Sequence, residues 1–259
     1  MKTTQSQDGT TIAYDVYGSG PALIYITGAS CFRSFSPIVQ AAKAFAKEFT
    51  VYNYDRRGRG DSGDTLPWTV EREIEDIAAM IDAAGGTAYL YGHSSGAVLA
   101  LEAALRLGNK VQKVVLYDAS YVHDETAKVQ YALLSRTIHT LLAAGKNAAA
   151  MRTFLQGIGM PKIFVTLLPL FPGWRTMKAL APTLAYDIAL TSDLPPVARA
   201  AEVAVPTQII VGQKSPASLH NVANQLTHAI PNAMFAELPG QDHIVSAKAL
   251  LPRLVSSLK

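Results

Sequence analysis

The chain has 259 residues, of which 49% are hydrophobic and 17% are charged, so it can bury one large core, alone or with an insertion. The net charge of +3 comes from scattered lysines and arginines. The one dense basic cluster, residues 56–59, contains a glycine and is flanked by aspartates, which argues against a nucleic-acid partner. A single cysteine, Cys31, excludes an internal disulfide and supplies no metal-ligand cluster.

The apolar segments of the chain are short. No apolar run follows Lys2, and the longest one, residues 163–171, is interrupted by Pro169. These features predict neither a signal peptide nor a membrane span, and therefore a cytoplasmic protein without a membrane partner.

The first 84 residues predict the beginning of an alternating β/α chain. Asp8-Gly9 is a hairpin signal that leads into a predicted strand at 10–17, so two antiparallel edge strands are expected. Residues 22–27 are continuously apolar, which is typical of a central strand buried on both faces. Three further predicted elements follow, a helix at 37–47, a strand at 49–54 and a helix at 70–84.

A glycine-rich loop, residues 55–63, follows the predicted strand at 49–54 and precedes the predicted helix at 70–84. Its sequence, Asp-Arg-Arg-Gly-Arg-Gly-Asp-Ser-Gly, admits two interpretations. An arginine could contact the substrate, or the loop could be a tight turn whose arginines and aspartates pair with one another at the sheet edge. Turn chemistry of this composition favours the second interpretation.

Residues 92–96, Gly-His-Ser-Ser-Gly, organise the chain. They lie between a predicted strand at 87–91 and the alanine- and leucine-rich helical pattern of 97–105. In this context the G-x-S-x-G sequence predicts a nucleophile elbow, a strained turn between strand and helix with Ser94 at its tip.

The residues beside Ser94 have physical reasons to be what they are. Gly92 and Gly96 lack side chains because strand and helix approach each other closely at such a turn. The helix that begins at Ser95 directs its unpaired N–H groups towards the place where an oxyanion would form on an attacked carbonyl.

The remaining chain predicts a helical insertion between two β/α segments. A strand at 110–117 ends at Asp118, and residues 119–204 then contain helical runs and a proline- and aromatic-bearing stretch but no convincing strand. The alternation resumes with a strand at 205–212, a helix at 218–229, a strand at 233–238 and a final helix from 246. Strands followed by helices favour parallel order with right-handed crossovers.

These landmarks resemble the α/β-hydrolase family over nearly the whole chain. The resemblance rests on the strand order and on four motifs: Thr27-Gly28 after the third strand, residues 55–62, residues 92–96, and residues 240–243 after the last strand. It implies the α/β-hydrolase fold, a mostly parallel sheet flanked by helices. Residues 1–118 and 205–259 would form the hydrolase core and residues 119–204 a mostly helical cap.

The family's catalytic residues are a serine, an acid and a histidine in that chain order, which implies Ser94 as nucleophile and His243 as base. Position alone also favours His243, because it lies in a loop after the final strand, at the sheet edge where parallel strands end together. As general base it would take the serine proton and return it to the leaving group. The other histidines lie in the elbow, in the insertion or in a predicted helix: His93, His123, His139, His220 and His228.

The acid departs from the family's commonest pattern. That pattern places an aspartate shortly after the strand at 205–212, where this chain has Ser215. A serine cannot hold a charge opposite an imidazolium. Some family members carry the acid one strand earlier, which implies Asp118, although an aspartate there could simply cap the start of the insertion. Asp242 is a weaker choice because it is adjacent to His243.

The resemblance also implies an oxyanion hole made of the backbone N–H groups of Ser95 and Ala29. Thr27 stands where family members often have histidine, but backbone donors survive that variation. Cys31 and Phe32 are expected to line the pocket. No base is assigned to Cys31 that would make it a nucleophile.

The insertion is expected to wall an apolar substrate pocket, although most of the same residues could equally form the core of the cap. The candidates in the insertion are Tyr121, Phe154, Phe164, Leu168, Phe171, Trp174, Met177 and Tyr186. Gly28 and Phe32, in the loop after the third strand, are candidates as well.

The sequence therefore predicts a serine hydrolase that cleaves a small, largely apolar ester, thioester or lactone through an acyl-enzyme. Its partner would be a small-molecule substrate, and no metal or organic cofactor is expected. Haloalkane dehalogenase and soluble epoxide hydrolase chemistry is disfavoured because the elbow nucleophile of those relatives is an aspartate. Two alternatives stay open: a same-fold lyase, carbon–carbon hydrolase or cofactor-free perhydrolase, and a non-catalytic ligand-binding member.

Overall fold

The computed structural model describes residues 1–171 and 173–259. Their strands form one sheet in the order β1-β2-β4-β3-β5-β6-β7-β8. The strands are Lys2–Gln5 (β1), Thr11–Tyr17 (β2), Ala22–Ile26 (β3), Thr50–Tyr54 (β4), Ala88–His93 (β5), Val111–Tyr117 (β6), Thr207–Gly212 (β7) and Ala233–Leu238 (β8). As predicted, β1 and β2 pair in antiparallel fashion at the start of the sheet. From β4 to β8 every neighbouring pair is parallel.

Helices cover both faces of the sheet, which confirms the predicted α/β-hydrolase fold. Apolar residues of α1 and α11 pack on one face, and those of α2, α3 and α10 pack on the other. The helices are Ser36–Phe45 (α1), Val70–Ala83 (α2), Ser95–Leu107 (α3), Glu125–Ala143 (α4), Asn147–Gly157 (α5), Lys162–Leu167 (α6), Trp174–Ala179 (α7), Leu184–Thr191 (α8), Val197–Ala200 (α9), Ala217–Ala229 (α10) and Ala247–Leu258 (α11).

The insertion is helical, as the sequence predicts. Helices α4 to α9 fall between residues 119 and 204, and no strand occurs among the described residues of that range. Its apolar side chains form a cluster of their own, which includes Met151 and Phe154, and Ala29 and Phe32 from the loop after β3 pack against it. The insertion therefore covers the sheet edge at which β3 ends. The division into a core and a cap at residues 119 and 204 stays a prediction.

The parallel order of β3 to β8 brings six loops to one edge of the sheet, because parallel strands present their carboxyl ends together. The loop of residues 55–63, after β4, is one of them. Four of them carry candidate site residues: Ala29 follows β3, Ser94 follows β5, Asp118 follows β6 and His243 follows β8. Ser215 lies in the loop after β7, between the last two.

Candidate active site

Ser94 occupies a strained turn between β5 and α3. Its backbone has φ 59° and ψ −125°, a conformation that costs about 1–3 kcal/mol for a residue with a side chain. A Cβ on Gly92 would lie 2.6 Å from the Cα of Ala97, and one on Gly96 would lie 2.7 Å from the carbonyl oxygen of Thr27. The turn thus has the geometry that the G-x-S-x-G sequence predicts.

Asp118 follows β6 and is 2% exposed. Its carboxylate accepts three hydrogen bonds: Oδ1 from the Gly212 amide at 3.1 Å, and Oδ2 from the Ser215 hydroxyl at 2.7 Å and from His243 Nδ1 at 3.0 Å. A carboxylate only accepts, so Nδ1 of His243 carries a proton and Nε2 is left as the basic nitrogen. The serine at the family's usual acid position therefore supports the displaced acid.

The loop that carries His243 crosses over the end of β7 to reach Asp118. The Tyr117 hydroxyl donates to the Asp242 carbonyl at 2.6 Å, and the Lys214 amide donates to the Gln241 carbonyl at 2.7 Å. A Cβ on Gly212 would lie 2.8 Å from that same Gln241 oxygen, so only glycine lets the two loops approach so closely. The carboxylate of Asp242 accepts from the amide two residues later, at 2.8 Å, and so stabilises the turn.

His93, the second residue of the G-x-S-x-G sequence, supports the His243 loop. Its Nε2 lies 2.8 Å from the His243 carbonyl oxygen, and because a carbonyl only accepts, Nε2 carries the proton. The two imidazole centroids are 5.0 Å apart. Burial, together with the nearby charge of His243, lowers the pKa of His93 to about 4. His93 is therefore neutral at pH 7 and acts as a hydrogen-bond donor.

Ser94 and His243 are not hydrogen-bonded to each other in the described part of the chain. The Ser94 hydroxyl instead lies 3.1 Å from the hydroxyl of Ser120, which also donates to the Asp118 carbonyl at 3.1 Å. Catalytic hydrogen bonds often tighten only when substrate binds. Sequence analysis missed Ser120, and its signal was its place two residues after Asp118 at the same sheet edge.

The loop after β3 lies directly against the elbow. A Cβ on Gly28 would be 2.9 Å from the Ser94 Cβ, so Gly28 allows the backbone to approach the nucleophile. Ala29 is the next residue, and its amide belongs to this same segment. Ser95 is the first residue of α3, so its amide has no acceptor within the helix. The two predicted oxyanion donors thus lie on two segments that meet at Ser94.

The arginines of the loop at 55–63 pair outside the loop, so the expectation that its own charges satisfy one another was wrong. A buried guanidinium needs a carboxylate in matching geometry, and neighbouring elements supply these. Arg56 pairs with Glu73 and Asp187, Arg57 with Asp8 and Asp76, and Arg59 with Asp187. The loop's aspartates, Asp55 and Asp61, pair with Arg33 instead.

Sequence analysis also missed Asp187. It is the only acidic residue between 126 and 192, and it lies within the otherwise apolar helix α8. A solitary carboxylate in such a helix signals a buried cation partner, because an unpaired charge is too costly to bury.

The predicted pocket residues fall into three groups. Phe154 and Leu168 belong to the cap's own apolar cluster, and Phe32, Trp174 and Met177 pack against it. Tyr121 belongs to the main core, and Tyr186 stacks on Trp68 with ring centroids 4.8 Å apart. Phe164 and Phe171 are 42% and 53% exposed, with centroids 6.3 Å apart. Their roles in substrate binding stay predictions.

Two further features bear on the chemistry of the chain. Burial raises the pKa of the Cys31 thiol to about 11, so this cysteine is a thiol at pH 7. Within the described ranges, no three His, Cys, Asp or Glu side chains are grouped to hold a metal ion, and no helix has the length and apolarity to cross a bilayer.

The model of the alpha/beta hydrolase family matches residues 12–249, and the chain belongs to that family. The crystal structure of an alpha/beta hydrolase from Sphaerobacter thermophilus is 40% identical over the whole of both chains, with a TM-score of 0.89. The 2-(acetamidomethylene)succinate hydrolase of Mesorhizobium japonicum is 26% identical and spans 88% of this chain and 84% of its own. The enol-lactonase of Burkholderia xenovorans shares the fold at 22% identity, with 99% of each chain covered and a TM-score of 0.71.

Proposed function

We propose that this hydrolase is a serine hydrolase in which Ser94, His243 and Asp118 act as nucleophile, base and acid. The observation that carries the proposal is the bond of 3.0 Å between Asp118 Oδ2 and His243 Nδ1. Asp118 provides the carboxylate that is lacking at Ser215, and its bond to Nδ1 of His243 leaves Nε2 free to act as the general base. The contact between Asp118 and His243 supports catalysis over a non-catalytic binding protein, the alternative suggested by a serine at the usual acid position.

In the proposed reaction His243 Nε2 takes the proton of Ser94 as Oγ attacks the substrate carbonyl. The amides of Ala29 and Ser95 receive the oxyanion, and Asp118 stabilises the imidazolium. Collapse of the tetrahedral intermediate releases the leaving group with the proton from His243, and the acyl group stays on Ser94. Water activated by His243 then releases the carboxylic acid.

The proposed substrates are small, largely apolar esters, thioesters or lactones. The support is the apolar contact between the cap cluster and the loop of Ala29 and Phe32, beside the nucleophile. Two similar proteins, a 2-(acetamidomethylene)succinate hydrolase and an enol-lactonase, also support a carbonyl compound as the substrate. A small-molecule substrate, the absence of nucleic-acid and membrane partners and a cytoplasmic location stay predictions.

The test is covalent labelling by a fluorophosphonate, followed by intact mass, together with hydrolysis of p-nitrophenyl butyrate. Native protein should take up one label. Ser94→Ala should take up none and lose at least about 10⁴-fold in kcat. Ser120→Ala is the matched control, because it removes the neighbouring hydroxyl and should still be labelled.

A folded native protein that takes up no label would overturn the proposal in favour of ligand binding. Labelling of Ser94 without hydrolysis of any ester, thioester or lactone would favour the lyase, perhydrolase or carbon–carbon cleavage alternative. Product analysis would then identify the reaction.

A further inference from the structure

A buried carboxylate of the cap lies behind the proposed oxyanion hole. Asp187, on α8, is 1% exposed. Its Oδ1 accepts from Arg56 at 2.9 Å and from the Ser95 hydroxyl at 2.8 Å, and Arg59 donates to both of its oxygens at 2.9 and 2.8 Å. One cap residue therefore joins the first residue of α3 to two core arginines.

The arginines extend this network to the other side of the oxyanion hole. Arg59 donates to the carbonyl oxygen of Gly28 at 2.7 Å, and Arg56 lies 3.4 Å from that of Thr27. The Gly28 carbonyl and the Ala29 amide belong to one planar trans peptide, in which C=O and N–H point in opposite directions. Holding the Gly28 oxygen therefore also sets the direction of the Ala29 N–H.

The cap makes independent contacts with the same loop. The Ser30 hydroxyl donates to the sulfur of Met151 on α5 at 3.3 Å, and Ser30 itself has φ +59°. Ala29 packs against the cap cluster. The segment that carries one oxyanion donor is thus fixed between the core arginines and the cap.

We infer that Asp187 is a positioning residue through which the seated cap holds the two halves of the oxyanion hole in register. It acts on the Ala29 amide through Arg59 and on the Ser95 amide through the Ser95 side chain. This inference rests on the proposed function of those two amides. It makes turnover depend on a residue that lies in the cap and does not contact the reacting atoms.

The charge of Asp187 is what makes the link firm. Burial by itself would raise its pKa, but Arg59, Arg56 and the Ser95 hydroxyl lower the pKa below its ordinary value. An ionised carboxylate forms stronger hydrogen bonds with guanidinium groups than a neutral group does. Replacing it with an amide leaves Arg59 without a counter-charge and free to release the Gly28 carbonyl.

The test compares Asp187→Asn with Asp76→Asn as a matched control. Asp76 is also 1% exposed and receives two bonds from one arginine, Arg57, at 2.8 and 2.7 Å. It lies on α2, and its hydrogen bonds reach neither the loop of 27–29 nor Ser95. Both variants remove one buried counter-charge, and only one of them disturbs the oxyanion segments.

Asp187→Asn should lower kcat on p-nitrophenyl butyrate, and the rate of fluorophosphonate labelling, by about 10²-fold, the effect of losing one oxyanion donor. The KM should change little, and the pH profile of kcat/KM should keep its shape because His243 and Asp118 are untouched. Asp76→Asn should keep kcat within about threefold. Ser95→Ala, which keeps the ion pairs intact, should lower kcat by about tenfold.

Equal kcat losses in the two aspartate variants, or a change confined to KM, would overturn the inference. If Asp187→Asn does not fold, an unchanged kcat in Ser95→Ala overturns it instead. If the native protein takes up no fluorophosphonate, the proposed function is refuted but the positioning role of Asp187 is not. Hydrogen–deuterium exchange then tests that role. Faster exchange at 27–31 and 94–98 in Asp187→Asn alone supports the positioning role, and unchanged exchange there refutes it.

Discussion

Two buried carboxylates, Asp118 and Asp187, contact different residues of the candidate active site. Asp118 accepts from an amide, a hydroxyl and an imidazole. Asp187 accepts from two guanidinium groups and one hydroxyl. The first comes from a strand end of the core, and the second comes from a helix of the cap.

The difference shows how the same side chain serves two purposes. The Gly212 amide and the Ser215 hydroxyl, which donate to Asp118, are neutral. The charge of Asp118 is therefore available to the imidazolium that the proposed reaction forms on His243. The charge of Asp187 is already neutralised by Arg56 and Arg59, so it fixes segments in place and has nothing left to offer a reacting group. Partners, more than burial, decide the role of a buried acid.

The largest expected effect is that of Asp118→Asn. We expect kcat to fall by about 10⁴-fold, because an amide favours the wrong tautomer of His243. The free energy of unfolding should fall by only about 1–3 kcal/mol, since no buried cation loses its partner. Asp187→Asn should show the reverse order, with a smaller loss of kcat and about 3–5 kcal/mol of lost stability.

Steady-state kinetics measures the loss of kcat in the two variants, and urea denaturation measures their loss of stability. Similar stability losses in Asp118→Asn and Asp187→Asn would contradict the distinction between neutral and charged partners.

A smaller effect is expected when the acid is moved by one strand. The Ser215 hydroxyl lies 2.7 Å from the oxygen of Asp118 that holds His243, so a carboxylate at 215 can approach the same imidazole. We expect Ser215→Asp, added to Asp118→Asn, to recover kcat by about tenfold or more over the single variant. Ser215→Asn in the same background is the isosteric control and should recover nothing. Equal rates for the two double variants would refute the prediction.

The smallest expected effect is a difference in pH dependence between the contributions of His93 and Asp187 to the free energy of unfolding. The pKa of His93 is lowered to about 4 from 6.5, so between these values the unfolded chain binds more protons than the native one. The contribution of neutral His93 to the free energy of unfolding should therefore be fully present above pH 6.5 and be lost as the pH falls from 6.5 towards 4. The pKa of Asp187 is lowered below 3.8, so its contribution should be lost only in more acidic solution.

Denaturation at a series of pH values tests this separation. His93→Gln places an amide donor near the position of Nε2, keeps the bond to the His243 carbonyl, and should remove the loss of stability that His93 causes between pH 6.5 and 4. Curves of the same shape for the native protein and His93→Gln between pH 6.5 and 4 would contradict the lowered pKa of His93.

Much of the fold could be predicted because periodicity and turn residues are local signals. The strand predicted at 233–238 is found at Ala233–Leu238, and the helix predicted from Ser246 begins at Ala247. The turn at Ser94 could also be predicted from sequence, because a strand and a helix that meet so closely require glycine at fixed positions, independently of the rest of the chain.

The ion pairs between residues far apart in sequence could not be predicted in this way. Residues 55–63 look like a turn that neutralises itself, but Arg59 finds its carboxylate 128 positions further along the chain. Composition shows that a cation is present, and only packing decides which anion reaches it.

The fold, the strained turn at Ser94 and the place of His243 after the last strand could all be predicted from the amino-acid sequence, because each depends on local pattern and on the order of strands along the chain. The contact of Asp118 with His243 and the hydrogen-bond partners of Ser215, His93 and Asp187 are visible only in the folded chain. Those contacts depend on which loops cross at one edge of the sheet and on where the cap packs. They are set by distances between side chains far apart in sequence, and no local pattern encodes them.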